Sequence, residues 1–217
     1  MSHETIYTAI YAMPKGELRK ELIGELRRAH KNRVKRSGGA DRRGQLSNMK
    51  SIHIRPPEVA SRELPGHWEG DLITGSNNSH IATLVERHSR FVMLVKVKGK
   101  DTSSVVSALS RQVKTLPTAL RKSLTWDRGG EMASHKNFTV ATDTQVYFCD
   151  PQSPWQRGSN ENTNGLLRQY FPDGTDLSRH SQAFLNKIAR RLNERPRKTL
   201  GFQTPAAKLS QAVASTG

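Results

Sequence analysis

Apolar and polar positions along this chain change period several times, and each change marks an element. Around Trp68-Glu69-Gly70-Asp71 the chain is mostly polar, and it then turns apolar in Leu72-Ile73-Thr74. Two further runs follow, Ile81-Ala82-Thr83-Leu84-Val85 and Phe91 to Val97, and branched residues at this density favour strands. The polar stretch Glu86 to Arg90 between them suits a short connection, so the two runs predict a hairpin. Beyond Asp101 the period lengthens. Val105, Val106, Leu109 and Val113 fall on one side of a helix, with Asp101 or Thr102 as its cap and Pro117 past its end. Ser123 to Trp126 and Thr144 to Cys149 predict two more short strands, the first delivering Asp127 at its end and the second stopped by Pro151.

The later part of the chain reads as helical. Ser159 can cap a helix from about Asn160 to Tyr170, with Leu166, Leu167 and Tyr170 as its buried stripe. Glu161 and Arg168, seven residues apart, share another face of it. Phe184 to Arg195 buries Leu185, Ile188, Ala189 and Leu192 and exposes Lys187, Arg190 and Arg191. Near the start, Ile6, Ile10 and Met13 form a short apolar face, with Ser2 as a cap. Gly16 to His30 sets Leu18, Leu22, Ile23 and Leu26 on one side. Strands mixed with helices in this order predict an α/β fold, and 217 residues suffice for one core with a small helical appendage.

Charge narrows the class of partner. The net charge is +16, which points to a polyanion, and nucleic acid fits better than a membrane surface because no basic amphipathic helix or apolar span is evident. No signal peptide or run of 18 apolar residues occurs, so a cytoplasmic protein is expected. Between Lys15 and Arg55 thirteen bases face four acids. Arg36, Arg42 and Arg43 lie in the glycine-bearing, apolar-poor part of this stretch, Asn32 to Asn48. That part predicts a flexible arm that follows a phosphate backbone in a salt-sensitive way, the plainer reading being a solvated linker. The single cysteine, Cys149, leaves no internal disulfide and reads as core packing.

Three carboxylates carry the candidate chemistry: Asp71, Asp127 and Glu161. Each stands in a polar stretch beside an apolar run, as metal-assisted phosphodiester chemistry requires of ligands drawn from separate elements. Mg²⁺ takes oxygen ligands and keeps several waters, so few protein carboxylates are needed when substrate phosphates complete the shell. Two ions roughly 4 Å apart can serve the attacking and leaving oxygens of an in-line displacement. Plainer roles exist: Asp71 and Asp127 as turn residues, Glu161 as an acid at a helix N-terminus. Glu69 would share a strand face with Asp71 and is either a base behind it or an ordinary ion-pair partner. His67, His80, His88 and His135 show no metal-ligand spacing and read as surface or loop histidines. Asp143, Asp150, Asp173 and Asp176 read as loop acids, and Trp155 is either a DNA contact or a plug over the core.

The strings Trp68-Glu69-Gly70-Asp71, Trp126-Asp127-Arg128-Gly129 and Pro154-Trp155-Gln156-Arg157-Gly158-Ser159-Asn160-Glu161-Asn162 resemble bacterial insertion-sequence transposases of the IS-thirty family. So do the spacings, 56 residues from Asp71 to Asp127 and 34 from there to Glu161, and the tail Asn193 to Ala206. The resemblance implies an integrase-type catalytic core with an RNase H-like fold, a mixed central sheet flanked by helices. It implies that Asp71, Asp127 and Glu161 are the catalytic, metal-binding triad. They would hold two Mg²⁺ ions, with Mn²⁺ as a substitute and Asp71 shared. The implied substrate is double-stranded DNA, both transposon ends and target, handled by a homo-oligomer through cleavage and strand transfer.

Under this reading Arg168 is a phosphate clamp, and Arg157, Arg36, Arg42 and Arg43 are further DNA contacts. Residues 1–30 are then the remnant of a helix-turn-helix, 31–58 a basic linker and 59–217 the catalytic core. The expected chain is truncated at its N-terminus, which leaves open a catalytically silent DNA-binding remnant. A nuclease of the same fold acting on RNA in hybrids would want a fourth clustered acid, and the sequence after Glu161 offers no obvious one.

Overall fold

Two short helices begin the computed structural model, which describes residues 3–26, 46 and 48–214: α1 is His3–Ala12 and α2 is Glu17–Gly24. They touch each other and bury little. Ile10 is buried, but Ile6 and Leu18 are exposed and no residue of α2 is buried. On the apolar side read on Gly16 to His30, Leu18 is exposed and Leu22, Ile23 and Leu26 are only half-buried. A helix of eight residues has too few turns to close a core of its own. Ser2, the end of that predicted helix, and Arg36, Arg42 and Arg43 lie outside the described residues.

The next helix, α3, is Pro57–Ser61, with proline where a missing N–H costs nothing; Arg62 ends it in the left-handed region at φ 61. The sheet follows: β1 His67–Thr74, β2 His80–Glu86, β3 Val92–Lys96, α4 Thr102–Lys114, β4 Ser123–Trp126, α5 His135–Thr142 and β5 Gln145–Phe148. Three more helices complete the chain, α6 Gly158–Leu167, α7 Gln182–Asn193 and α8 Pro205–Ala214. The sheet order is β3-β2-β1-β4-β5. β2 runs antiparallel to both its neighbours, β1 and β3, while β4 and β5 run parallel to β1. With helices on both faces, this mixed sheet has the expected RNase H-like α/β arrangement.

Period-two alternation on β1 assigns its side chains to the two faces. Trp68 and Leu72 join one apolar cluster with Val95, Leu109, Trp126 and Phe138, under α4 and α5. Ile73 joins the other, with Leu94, Leu167, Phe171, Leu185 and Ile188, under α6 and α7. Glu69 and Asp71 share the parity of Ile73 and so look toward α6. Each large side chain that is fully buried contributes about 1.5–3 kcal/mol, so these two layers hold the sheet from both sides. Gly70 lies on the first face because a Cβ there would overlap the Trp126 ring. Only a residue without a side chain lets β1 and that indole approach so closely.

Several local expectations change. β1 begins at His67, so Asp71 is inside a strand rather than in a turn before one. Pairing to both neighbours extends this strand through its polar residues. α6 begins at Gly158, so Ser159 is buried within the first turn instead of capping it, and Tyr170 lies beyond the helix end. His67, His80 and His135 are buried rather than superficial, held in place by Ser123, Thr74 and the Met132 carbonyl. Asp101 does cap α4, accepting the Ser104 amide at 2.9 Å. Cys149 is buried, and burial pushes its thiol up to about 11, which keeps it an unreactive core residue.

The chain just ahead of α3 is docked rather than separate. Lys50 offers its carbonyl to the Phe148 amide at 2.9 Å, Ser51 bridges Phe148, and Ile52 is buried. This covers the outer edge of β5, an edge that unpaired backbone groups would leave sticky.

Candidate active site

Parallel pairing of β1 with β4 sets Glu69 opposite Thr125. Two residues further along the same register, Asp71 comes level with Asp127, just past the end of β4 at Trp126. Carboxylates side by side on adjacent parallel strands repel unless a cation lies near. Here that cation is Arg157, in the 3-10 turn that leads into α6. Its guanidinium stands 3.3 Å from Asp71 Oδ1 and 3.5 Å from Asp127 Oδ2, and donates to the Gly70 carbonyl at 2.7 Å. Burial opposes the Arg157 charge, but the two aspartates outweigh it and its pKa ends above the ordinary arginine value. Burial raises the Asp71 carboxyl above its usual range; Arg157 pulls it down, and Asp127 pushes it up again.

Hydrogen bonds fix both acids. Asp71 accepts from its neighbour Leu72 N at 2.9 Å and from Asn164 Nδ2, on α6, at 3.0 Å. Asp127 accepts from Gly129 N at 3.0 Å, the turn geometry that Asp-Arg-Gly-Gly favours. Glu161, in the first turn of α6, is exposed and lines with Asp71, Asn164 and Arg168 a cleft of about 400 Å³. Glu161 and Arg168 thus do share one flank of α6. Arg168 also pairs with Asp173 at 3.1 Å and caps the Thr74 carbonyl at 3.3 Å.

The three acids therefore border one region without closing on a point. Among the described residues no group of three or more His, Cys, Asp or Glu side chains is close enough together to hold a metal ion. The donors nonetheless fit a hard divalent cation. They are all oxygens, and the gap between Asp71 and Asp127 already accommodates a positive group.

Behind the acids lies a buried network that the sequence did not announce. Glu69 is fully buried, ion-paired with Arg87 and accepting the Asn160 amide at 2.9 Å. This settles its open role in favour of an ion-pair partner. Asn160, also fully buried, donates to the Glu69 carbonyl at 2.9 Å and accepts from Thr83 Oγ1 at 3.1 Å. Arg87 continues to the Val59 carbonyl at 3.0 Å. The network ties the first turn of α6, hence Glu161, to β1 two residues before Asp71. A sequence signal existed: Asn160, Thr163 and Leu167 share helical spacing, so Asn160 had to point inward with the stripe.

Trp155 is 72% exposed, which removes the reading as a plug over the core. The loop around it is held by Asp150, which accepts from Gln156 at 2.8 Å and contacts His53 at 2.7 Å and Arg128 at 3.7 Å. No described helix is long and apolar enough to cross a membrane.

Comparison with known proteins gives this geometry its context. The integrase core domain model matches residues 62–154. The transposase for insertion sequence element IS1086 of Cupriavidus metallidurans is 56% identical over 216 residues, covering 99% of this chain and 64% of that protein. The transposase InsI for insertion sequence element IS30A of Escherichia coli is 51% identical over 219 residues, 100% of this chain and 57% of that protein. The transposase for insertion sequence element IS4351 of Bacteroides fragilis is 36% identical over 98% of this chain and 65% of its own length. The chain thus spans about three fifths of the curated relatives it matches. Residues 62–154 are thus similar to an integrase core domain, and nearly the whole chain is similar to insertion-sequence transposases such as those of IS1086 and IS30A.

Proposed function

We propose that this chain catalyses metal-dependent cleavage of DNA at the ends of an insertion sequence and transfer of the freed 3′-hydroxyl to target DNA. The observation that carries the reading is the meeting of Asp71 and Asp127 at one guanidinium, with Glu161 on the cleft that Asp71 also lines. Asp71, Asp127 and Glu161 are the proposed ligands of the divalent cations, Mg²⁺ by preference. When bound, the cations would polarise the phosphate and ease loss of a proton from the attacking oxygen. The protein's part is positional. The Glu69–Asn160 network holds α6 to β1, Asn164 orients the Asp71 carboxylate, and Arg168 borders the cleft as a candidate phosphate contact.

The substrate reading rests on charge and kinship. A chain of net charge +16 favours a polyanion, and its relatives are named for insertion sequences. The reading includes action in the cytoplasm as a homo-oligomer on paired DNA ends.

The test is to incubate the purified chain with Mg²⁺ or Mn²⁺ and a labelled duplex carrying a pre-nicked element end, beside an Asp127→Asn control. Strand joining that needs the metal and disappears in the control supports the proposal. Salt-sensitive DNA binding with no joining in either protein supports the catalytically silent DNA-binding reading instead.

A further inference from the structure

α6 has a second functional flank. Glu161, Asn164 and Arg168 border the acid cleft, whereas Ser159, Thr163 and Leu166, on another side of the helix, line a separate cavity of about 260 Å³. Arginines from three distant parts of the chain reach this cavity: Arg62 after α3, Arg90 in the β2–β3 connection and Arg197 after α7. No carboxylate among the described residues lines it.

We propose that this cavity binds one backbone phosphate of the DNA strand, distinct from the phosphate that reacts. The assignment of the anion to DNA rests on the function proposed above. The Arg62 and Arg90 guanidiniums, on a lining that holds no carboxylate among the described residues, create a local excess of positive charge that one phosphate diester would neutralise. Among the described residues neither Arg62 nor Arg90 has a carboxylate within ion-pair distance. Arg90 donates to the Ser159 hydroxyl, which anchors it at the rim. Burial lowers the Arg90 pKa and the neighbouring Arg62 charge lowers it further, against an upward pull from Glu69.

The start of α6 at Gly158 adds the positive end of a ten-residue helix to the same place. The lining also says what does not fit. Among the described residues Leu166 is its one large apolar side chain and no aromatic lines it, so they offer no platform for a base. A phosphate without its base suits it, as on a strand whose bases turn elsewhere. Because α6 separates the two cavities, a strand gripped here would be held at a fixed distance from the acids.

Arg62 is the residue to change, because among the described residues its side chain makes no hydrogen bond that its loss would break. Binding of the full chain to a labelled duplex is measured by anisotropy across a range of salt, for the wild type, Arg62→Gln, Arg62→Lys, the remote control Lys208→Gln and Asp127→Asn. One lost phosphate contact lowers the slope of log affinity against log salt by about 0.9. Arg62→Gln should show that drop and bind severalfold more weakly at about 0.1 M salt, while the other three keep the wild-type slope. Circular dichroism confirms folding of each variant.

An unchanged slope in folded Arg62→Gln overturns the proposal and leaves the proposed function intact. A wild-type chain that binds no duplex overturns both. A separate arm titrates inorganic phosphate alone, followed by calorimetry. Phosphate uptake that Arg62→Gln abolishes, combined with an unchanged DNA slope, would make the cavity a free-anion site and also overturn the assignment to DNA.

Discussion

Arg157 Nη1 stands 3.3 Å from Asp71 Oδ1, and the same guanidinium reaches Asp127 at 3.5 Å. Without a cation between them, two half-buried carboxylates on adjacent parallel strands would destabilise the fold they sit on. Arg157 therefore serves as the counter-charge of the acid pair, beside the DNA contact that the resemblance implies for it.

Substituting Arg157 should expose that role. Arg157→Gln is expected to lose about 1–3 kcal/mol without metal, less than the full cost of breaking a buried pair because all three groups keep some solvent. Saturating Mn²⁺ should then raise the melting temperature of the variant more than that of the wild type, by mass action on a site that lacks its internal cation. Differential scanning fluorimetry with and without metal checks both statements.

Gly70 offers a steric test. A Cβ at this position overlaps the Trp126 ring, a buried group with no room to retreat. Gly70→Ala should cost about 1–3 kcal/mol by overpacking. It should also slow strand joining, because Asp71 is the next residue. Urea unfolding and single-turnover joining of the same preparation report the two effects.

The ion pair behind the acids predicts a non-additive result. Arg87→Met strands the fully buried Glu69 and is expected to cost about 3–5 kcal/mol. Adding Glu69→Leu should recover part of that loss, since the unpaired charge is then gone. A double-mutant cycle by chemical denaturation measures the recovery.

His67 predicts a pH effect. Burial and the Lys122 cation lower its pKa from 6.5 to about 4. Between these values the unfolded chain takes up a proton that the folded chain refuses, so stability falls as pH drops from 6.5 toward 4. The change expected from pH 6.5 to 5 is on the order of 1–2 kcal/mol. His67→Gln should flatten this part of the stability profile, followed as melting temperature against pH.

How much of this was legible in the sequence depended on whether apolar pattern or tertiary pairing decided the element. The β2–β3 hairpin, α4 and α7 read correctly because branched runs, an Asp101 cap and a clean helical stripe each suffice locally. The polar start of β1 did not, since its pairing to β2 and β4 supplies what its own residues lack. α5 was missed because only His135, Phe138 and Thr142 are buried on it, and two of these are not apolar. Asp71, Asp127 and Glu161 stood out through their flanking strings. Asn164 and Arg157 became visible as their partners only when α6 was packed on β1. The arginine cavity joins residues 62, 90 and 197, a grouping that no local pattern encodes.

The most direct test of the account is the single-turnover rate of strand joining in saturating Mg²⁺ for Asp71→Asn, Asp127→Asn and Glu161→Gln, with duplex affinity measured on the same samples. Lost metal ligation removes several kcal/mol of charge stabilisation, so each variant should fall by about a thousandfold or more in rate. Affinity should stay at or above the wild-type value, because neutralising an acid leaves the attractive field intact. Any one of the three variants joining strands at close to the wild-type rate would contradict the triad.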